Sequence, residues 1–235
     1  KEADFIQECA TENYNIKIKL MNIIGKFAKP NAIISSSSSG LLPTRIYSKC
    51  KNPSRAMIGH PFNPVYLCPG VEIVPGKKTH KKFLNKANKF YKSISMNPIM
   101  VKKELPGYLA DRLQEALWRE ALHIVNEGYA SAKELDRAIE DGPGLRWSLM
   151  GTFLTFHLAG GKVGMKHMLE QFGPTLKLPW TKLKAPKLSK KLSSRVITGT
   201  LQQAKGKSVA MISNIRDQYL VDLLKLRRKY ENKLR

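Results

Sequence analysis

Apolar positions in the first hundred residues form two alternating patterns. Short continuous apolar runs predict strands, at 3–7, 32–35, 57–60, 71–74 and 99–101. Between them, apolar residues spaced three or four positions apart predict amphipathic helices over 13–27 and 79–94. Strands that alternate with helices in this way are typical of an α/β layer whose sheet is largely parallel.

The pattern changes after the Pro-Gly pair at 106–107, where the strand-like runs cease. The segment 108–126 carries an apolar stripe at helical spacing, which predicts a long helix. Further helices are predicted at 131–140, 148–158, 164–172, 189–204 and 208–230. The chain is therefore expected to divide near Lys103 into an α/β part, residues 1–103, and an all-α part, residues 104–235.

The charge balance is strongly basic, with 41 Lys and Arg residues against 18 Asp and Glu residues, a net charge of +23. Such a balance first suggests a nucleic-acid partner. Lysines outnumber arginines 30 to 11, whereas specific recognition of phosphates and bases favours arginine. The basic residues therefore indicate a solvated lysine surface that favours an anionic cofactor, with no nucleic-acid partner. A basic nucleic-acid-binding or non-catalytic protein stays as an alternative.

No apolar stretch approaches the roughly 18 residues that a membrane helix needs, so no membrane partner is predicted. The first residues lack the charged head and apolar run of a signal peptide. The three cysteines, Cys9, Cys50 and Cys68, are irregularly spaced and form no Cys-x-x-Cys pair, which is typical of a reducing compartment. These features predict a cytoplasmic protein without a metal site.

Two motifs place acid–base chemistry in the α/β part. They are His-Pro-Phe-Asn-Pro at 60–64 and Val-Glu-Ile at 71–73. Histidine suits proton transfer from an alcohol near neutral pH, and a carboxylate on its second ring nitrogen fixes the tautomer. Upstream, Ser-Gly-Leu at 39–41 follows a predicted strand, at the sheet edge where ligands usually bind.

These motifs resemble the 3-hydroxyacyl-CoA dehydrogenase superfamily, which has the same serine turn, His-x-Phe-Asn-Pro segment and Val-Glu pair at matching spacing. Leu-Pro-Gly-Tyr at 105–108 is similar to the segment that opens the family's long helix. The resemblance implies a partial Rossmann-type domain, a helical C-terminal domain and NAD-dependent oxidation of a secondary alcohol. It implies His60 as general base, Glu72 as its orienting partner and Ser39 as a hydrogen-bonding partner of the reacting oxygen.

Several segments are similar to the branch of this family that oxidises L-carnitine to 3-dehydrocarnitine, at 115–120, 142–147, 156–161 and 171–174. Asp111 stands where the acyl-CoA enzymes have Asn, as in the carnitine branch, and it joins the implied catalytic residues. Arg112 is suited to hold the carboxylate of a free 3-hydroxy acid. A surface ion pair of Asp111 with Arg112, and a 3-hydroxyacyl-CoA substrate, stay as alternatives.

The resemblance also implies the residues that contact the cofactor and the small-molecule substrate. Cofactor contacts are expected at Cys9, Glu12, Lys17 and Ser37, and substrate contacts at Phe62, Gly107, Ala110, Arg112 and Gly142. Phe62 is the candidate aromatic ring for a cation–π contact with a quaternary ammonium group.

A Gly-x-Gly-x-x-Gly turn, which holds the pyrophosphate of NAD, does not occur in the sequence. The resemblance implies that the sequence begins at about the fourth strand of the nucleotide-binding domain, and we expect these residues alone to bind NAD weakly. Helical domains of this family commonly form homodimers. Apolar residues of the last predicted helix are the candidate contact surface or intramolecular core, namely Val209, Ile212, Ile215, Leu220, Leu223 and Leu224.

Overall fold

The structure is a computed structural model, and it describes residues 1–63, 65, 68–147, 150–181, 189–190, 194, 197–198, 201 and 204–234. The chain divides into two compact units, Lys1–Leu117 and Trp118–Arg235. The domain boundary near Lys103 stays a prediction.

The first unit is built on a five-stranded sheet with the strand order β1-β2-β3-β4-β5. The strands are β1 (Phe5–Glu8), β2 (Ile33–Ser36), β3 (Ala56–Pro61), β4 (Gly70–Pro75) and β5 (Asn97–Met100). The pairs β1–β2, β2–β3 and β4–β5 are parallel, whereas β3 and β4 are antiparallel. All five predicted strands and the largely parallel sheet are therefore confirmed.

Strand β4 reverses direction because its connection to β3 is short. The connection is the segment 62–69, and a parallel crossover needs about a dozen residues or more. The reversal pairs His60 directly with Glu72. It also places the start of β4 beside the carboxyl end of β3.

Helices cover both faces of the sheet, namely α1 (Tyr14–Phe27), α2 (Pro43–Ile46) and α3 (Lys81–Ser93). Adjacent residues of a strand point to opposite faces, so Ile33 and Ile34 enter different apolar clusters. Ile34 packs in one cluster with Met21 of α1 and Ile46 of α2, whereas Ile33 packs in the other with Phe83 of α3. Burial of both faces is typical of a sheet with parallel strands.

The described residues of the second unit form helices joined by turns and contain no strand. Together with the helix that begins in the first unit, the helices are α4 (Ala110–Asn126), α5 (Ala132–Glu140), α6 (Gly144–Trp147), α7 (Thr152–Ala159), α8 (Met165–Phe172) and α9 (Val209–Leu234). The helices predicted at 108–126, 131–140, 164–172 and 208–230 are confirmed. The helix predicted from 148 begins at Thr152, after Gly151 in an extended conformation, and most of 189–204 lies outside the described residues.

The core of the second unit is small. Its buried cluster consists of Met150, Ala204 and Ile212, with Leu154 and Leu158 packed against it. Ile212 is therefore intramolecular core, which is one of the two alternatives given for the last helix. No helix in the described part of the chain has both the length and the apolar character that crossing a membrane requires.

Candidate active site

His60 and Glu72 form a buried hydrogen-bonded pair where β3 ends and β4 begins. They face each other across β3 and β4, and His60 Nδ1 lies 3.0 Å from Glu72 Oε2. Only 6% of His60 is exposed, and Glu72 is fully buried. Because a carboxylate can only accept a hydrogen bond, Nδ1 donates, and Nε2 keeps a lone pair that can take a proton.

The second carboxylate oxygen of Glu72 fixes the start of α4. Its Oε1 accepts hydrogen bonds from the backbone N–H groups of Leu109 at 2.9 Å and Ala110 at 3.0 Å. Burial raises the pKa of the Glu72 carboxyl, but the hydrogen bonds from His60, Ala110 and Leu109 outweigh it, so the net pKa lies below its ordinary value. Glu72 is therefore ionised near neutral pH, as an orienting partner of His60 must be.

A turn after β2 presents Ser39 at the same edge of the sheet. Glu12 Oε1 accepts three hydrogen bonds from this turn, from Ser38 Oγ at 2.5 Å, Ser39 N at 3.0 Å and Gly40 N at 3.3 Å. Ser39 is exposed, and within the described residues its hydroxyl has no hydrogen-bond partner. The backbone of Ser39 is thus fixed while its hydroxyl is available to a ligand.

Lys17 is a buried lysine that holds two carboxylates in place. Its Nζ lies 3.0 and 3.1 Å from the two carboxylate oxygens of Glu8, 2.8 Å from the Ala10 carbonyl oxygen and 3.5 Å from Glu12 Oε2. Glu8 also accepts a 2.5 Å hydrogen bond from Ser36 Oγ. Since an ammonium group has three donors, these contacts occupy Lys17 fully. Its contact with the cofactor stays a prediction, and the structure adds the positioning of Glu12.

Tyr108 connects the Ser39 turn with the His60–Glu72 pair. It is fully buried, and its hydroxyl donates a 2.7 Å hydrogen bond to the Leu41 carbonyl oxygen. Its ring meets the His60 ring edge-on, with 5.7 Å between the centroids. Tyr108 and the preceding Gly107 have φ angles of +43° and +70°, the left-handed region that glycine adopts most easily. These two residues turn the chain into α4.

Of the predicted site residues, Phe62 lies beside His60 and Asp111 lies at the start of α4, one residue after Ala110. The Phe62 ring meets the His60 ring edge-on at a centroid distance of 5.5 Å. Asp111 stands in the first turn of α4. Burial raises the pKa of the Asp111 carboxyl, His60 lowers it, and the carboxylates of Glu72 and Glu12 raise it. Because Glu72 Oε1 binds the N–H of Ala110, the residue before Asp111, the backbone of Asp111 lies close to the His60–Glu72 pair.

The other predicted substrate residues belong to two different units. Gly107 and Ala110 begin α4 near Glu72, and Arg112 is exposed, with Nη1 3.5 Å from a backbone carbonyl oxygen. Gly142 lies in the second unit between α5 and α6, where an added Cβ would meet the Ala138 carbonyl oxygen at 2.5 Å. Close packing alone therefore explains this glycine. The substrate contacts of these residues stay predictions.

The structure also assigns site positions that the sequence analysis missed, at Glu8, Ser36, Ser38 and Tyr108. Glu8 carried a usable signal, because a carboxylate that ends an apolar strand lies where ligands bind to parallel sheets. The two serines stand in a run of five serines at 35–39, and nothing in that run distinguishes one role from another.

Two of the predicted cofactor contacts lie at the carboxyl ends of β1 and β2. Dinucleotides bind at this edge of a parallel sheet, and Cys9 and Ser37 follow the two strands there. Cys9 is exposed, and Ser37 Oγ donates a 3.0 Å hydrogen bond to the Glu8 carbonyl oxygen. The Glu12 side chain is 43% exposed, so it has acceptor capacity for ribose hydroxyls. Their contacts with the cofactor stay predictions.

Two family models match successive parts of the chain. Residues 1–105 match the family described as 3-hydroxyacyl-CoA dehydrogenase, NAD binding domain, and residues 107–210 match its C-terminal domain. The L-carnitine dehydrogenase of Oceanobacillus iheyensis is 52% identical, covering 98% of this chain and 75% of that protein. The L-carnitine dehydrogenase of Pseudomonas putida is 53% identical, covering 95% and 70%.

Solved structures share the fold at lower identity. The 3-hydroxyacyl-CoA dehydrogenase of Archaeoglobus fulgidus is 23% identical with a TM-score of 0.71, covering 96% of this chain and 77% of that one. An NAD+-dependent dehydrogenase of a pyridine carboxylic acid is 22% identical with a TM-score of 0.70, covering 98% and 74%. The predicted fold class, a partial Rossmann-type domain followed by a helical domain, is therefore confirmed.

Proposed function

The chain belongs to the 3-hydroxyacyl-CoA dehydrogenase family and is an NAD-dependent oxidoreductase, and we propose that it oxidises the 3-hydroxyl group of L-carnitine to give 3-dehydrocarnitine. Two relatives that are 52% and 53% identical over 98% and 95% of this chain are L-carnitine dehydrogenases. The site supports the proposal because it combines a buried base with an exposed serine hydroxyl at the edge of the sheet.

The hydrogen bond between His60 Nδ1 and Glu72 Oε2 is the observation that carries the proposed mechanism. It leaves His60 Nε2 to take the proton of the substrate hydroxyl, and the Glu72 carboxylate then stabilises the charged imidazole. The Ser39 hydroxyl hydrogen-bonds the same substrate oxygen as it becomes a carbonyl. When bound, NAD supplies the acceptor for the hydride that leaves C3.

Substrate positioning in this proposal involves both ends of L-carnitine. Arg112, exposed near the start of α4, would hold the carboxylate through paired hydrogen bonds. Phe62 would present its ring to the trimethylammonium group, because its ring already touches that of His60.

The deciding measurement is NADH formation by the full-length protein with L-carnitine or with a 3-hydroxyacyl-CoA. Oxidation of L-carnitine alone is the expected result. Oxidation of the thioester alone would keep the His60 mechanism and replace the substrate. If a folded protein oxidises neither, the proposal fails, and salt-dependent retention on DNA then tests the basic surface as a nucleic-acid site.

We also propose that the protein acts as a homodimer in the cytoplasm. Exposed apolar side chains on α4 and on the second unit support dimerisation, among them Leu113, Trp118, Tyr129 and Ile215, since monomers rarely expose large apolar patches. The side chains of Leu220 and Leu224 lie outside the described set. Three free cysteines fit a reducing compartment. Light scattering after size exclusion measures the assembly, and cell fractionation the location.

A further inference from the structure

The active site is acidic although the chain carries a net charge of +23. Among the described site residues, the four carboxylates of Glu8, Glu12, Glu72 and Asp111 outnumber the two cationic side chains of Lys17 and Arg112. Lys17 is paired with Glu8 and Glu12. The local field therefore favours a cation, in contrast to the lysine-rich surface.

Among these four carboxylates, Asp111 is the one that makes no hydrogen bond or ion pair with the described residues. Glu72 fixes its position, because the Glu72 carboxylate binds the N–H groups of the two residues that precede Asp111. The same Glu72 orients His60. One carboxylate therefore positions both the His60 ring and the backbone that leads into Asp111. Burial raises the pKa of the Asp111 carboxyl, His60 lowers it, and the carboxylates of Glu72 and Glu12 raise it, so a cation beside Asp111 would offset the cost of burial and the repulsion.

We propose that Asp111 is the counter-ion of the substrate's quaternary ammonium group and selects cationic substrates. The inference rests on the proposed oxidation of L-carnitine. In that molecule a single methylene joins the reacting carbon to the nitrogen, so the cation must lie close to the hydroxyl that meets His60. A quaternary ammonium has no N–H to donate, and only charge and apolar or aromatic contact can hold it. Asp111 supplies the charge and Phe62 the aromatic face.

Substrate selectivity tests the assignment. Wild-type enzyme and Asp111→Asn are compared on L-carnitine and on 3-hydroxy-5,5-dimethylhexanoate, in which carbon replaces the nitrogen. We expect Asp111→Asn to lower kcat/KM for L-carnitine by about 10- to 100-fold. The loss on the neutral analogue should be at least about threefold smaller than the loss on L-carnitine, because the analogue has no positive charge for Asp111 to bind. Equal losses on both substrates, or no loss on L-carnitine, would overturn the proposal.

The matched control is Asp4→Asn, which removes the same charge from a side chain that is largely exposed before β1. It should leave the ratio of the two kcat/KM values unchanged. A change equal to that of Asp111→Asn would show that net charge, rather than position, sets the selectivity.

A binding measurement separates this inference from the proposed function. Calorimetry with NAD present compares choline with 3,3-dimethylbutan-1-ol, its uncharged analogue, and needs no turnover. Preference for choline in the wild type that disappears in Asp111→Asn supports the counter-ion role even if L-carnitine is not oxidised. Absence of that preference in the wild type, or its survival in the variant, overturns the role even if L-carnitine is oxidised.

Discussion

The two compact units bury their apolar residues to very different extents. Among the described residues, 18 buried apolar side chains lie in the first unit and four in the second. In the second unit, Tyr129 is 78% exposed and Trp180 70%. The first unit is therefore stabilised by its own core, whereas the second presents apolar surface, which the proposed dimer would cover.

Each unit contains one buried histidine, and their partners differ. His60 Nδ1 meets the Glu72 carboxylate, whereas His157 Nδ1 accepts a 3.1 Å hydrogen bond from the backbone N–H of Met165. The Gly164 backbone lies so close to the His157 ring that an added Cβ would stand 2.4 Å from it. In the proposed mechanism the carboxylate prepares His60 for proton transfer, whereas the backbone contact makes His157 a packing residue. The proposed chemistry therefore lies in the first unit.

Replacement of each histidine gives the largest expected contrast between the units. His60→Gln should lower kcat by about 10²–10⁴-fold, because it removes the general base. His157→Gln should keep kcat and lower the free energy of unfolding by about 1–3 kcal/mol, because it disturbs a buried hydrogen bond. Steady-state kinetics and urea unfolding measure the two effects. Near-normal turnover of His60→Gln would remove it from the mechanism.

Glu72→Gln tests whether the carboxylate acts through the His60 tautomer. The amide oxygen can keep the bonds to the N–H groups of Leu109 and Ala110, but its NH2 group then faces Nδ1 and forces the proton onto Nε2. We expect kcat to fall by about 10²–10³-fold while the fold is retained. Glu134→Gln is the control, since Glu134 only caps α5. Equal turnover in the two variants would contradict the orienting role.

Two isoleucines of α9 distinguish core from contact surface in the second unit. Ile212 is buried in the small core, and Ile215 is 44% exposed. Ile212→Ala should lower the free energy of unfolding by about 2–4 kcal/mol through the cavity that it leaves. Ile215→Ala should cost less than about 1 kcal/mol and weaken self-association. All three tryptophans, at 118, 147 and 180, lie in this unit, so their fluorescence reports its unfolding. Equal losses of stability would contradict the distinction.

The contrast between the units also explains what could be predicted from the sequence. The three inner strands of the first unit are buried on both faces, which favours short apolar runs in the sequence, and all five strands were predicted. The pair of His60 and Glu72 could be predicted because both stand in motifs. The direction of β4 depends on the length of one connection, and it was not predicted.

Partners far apart in the chain were not predicted. Glu8 and Ser36 are 28 positions apart, and Tyr108 and Leu41 are 67 apart. Such contacts depend on how β1, β2 and α4 pack, and no local periodicity records them. The exposure of apolar positions in the second unit could not be predicted either. An apolar stripe has the same sequence pattern whether it packs within the unit or against another surface.

The smallest expected effect is a difference in the pH at which the units lose stability. Burial lowers the pKa of His157 from its ordinary value of 6.5, and the net pKa of Glu72 lies below its ordinary value of 4.5. A group whose pKa is lower in the folded state stabilises the fold above its unfolded pKa, and this contribution is lost as pH falls through the folded pKa. The His157 contribution should therefore begin to fall below about pH 6.5, and that of Glu72 only below about pH 4.5.

Variants isolate these contributions from those of other titrating groups. The stability difference between wild type and His157→Gln, followed by tryptophan fluorescence, should shrink as pH falls below 6.5. The difference between wild type and Glu72→Gln, followed by tyrosine absorbance, should not shrink until pH falls below 4.5. Five of the eight tyrosines lie in the first unit, so this signal reports mainly on it. If both differences shrink over one pH range, the two units unfold together, and the first unit does not depend on its own core alone.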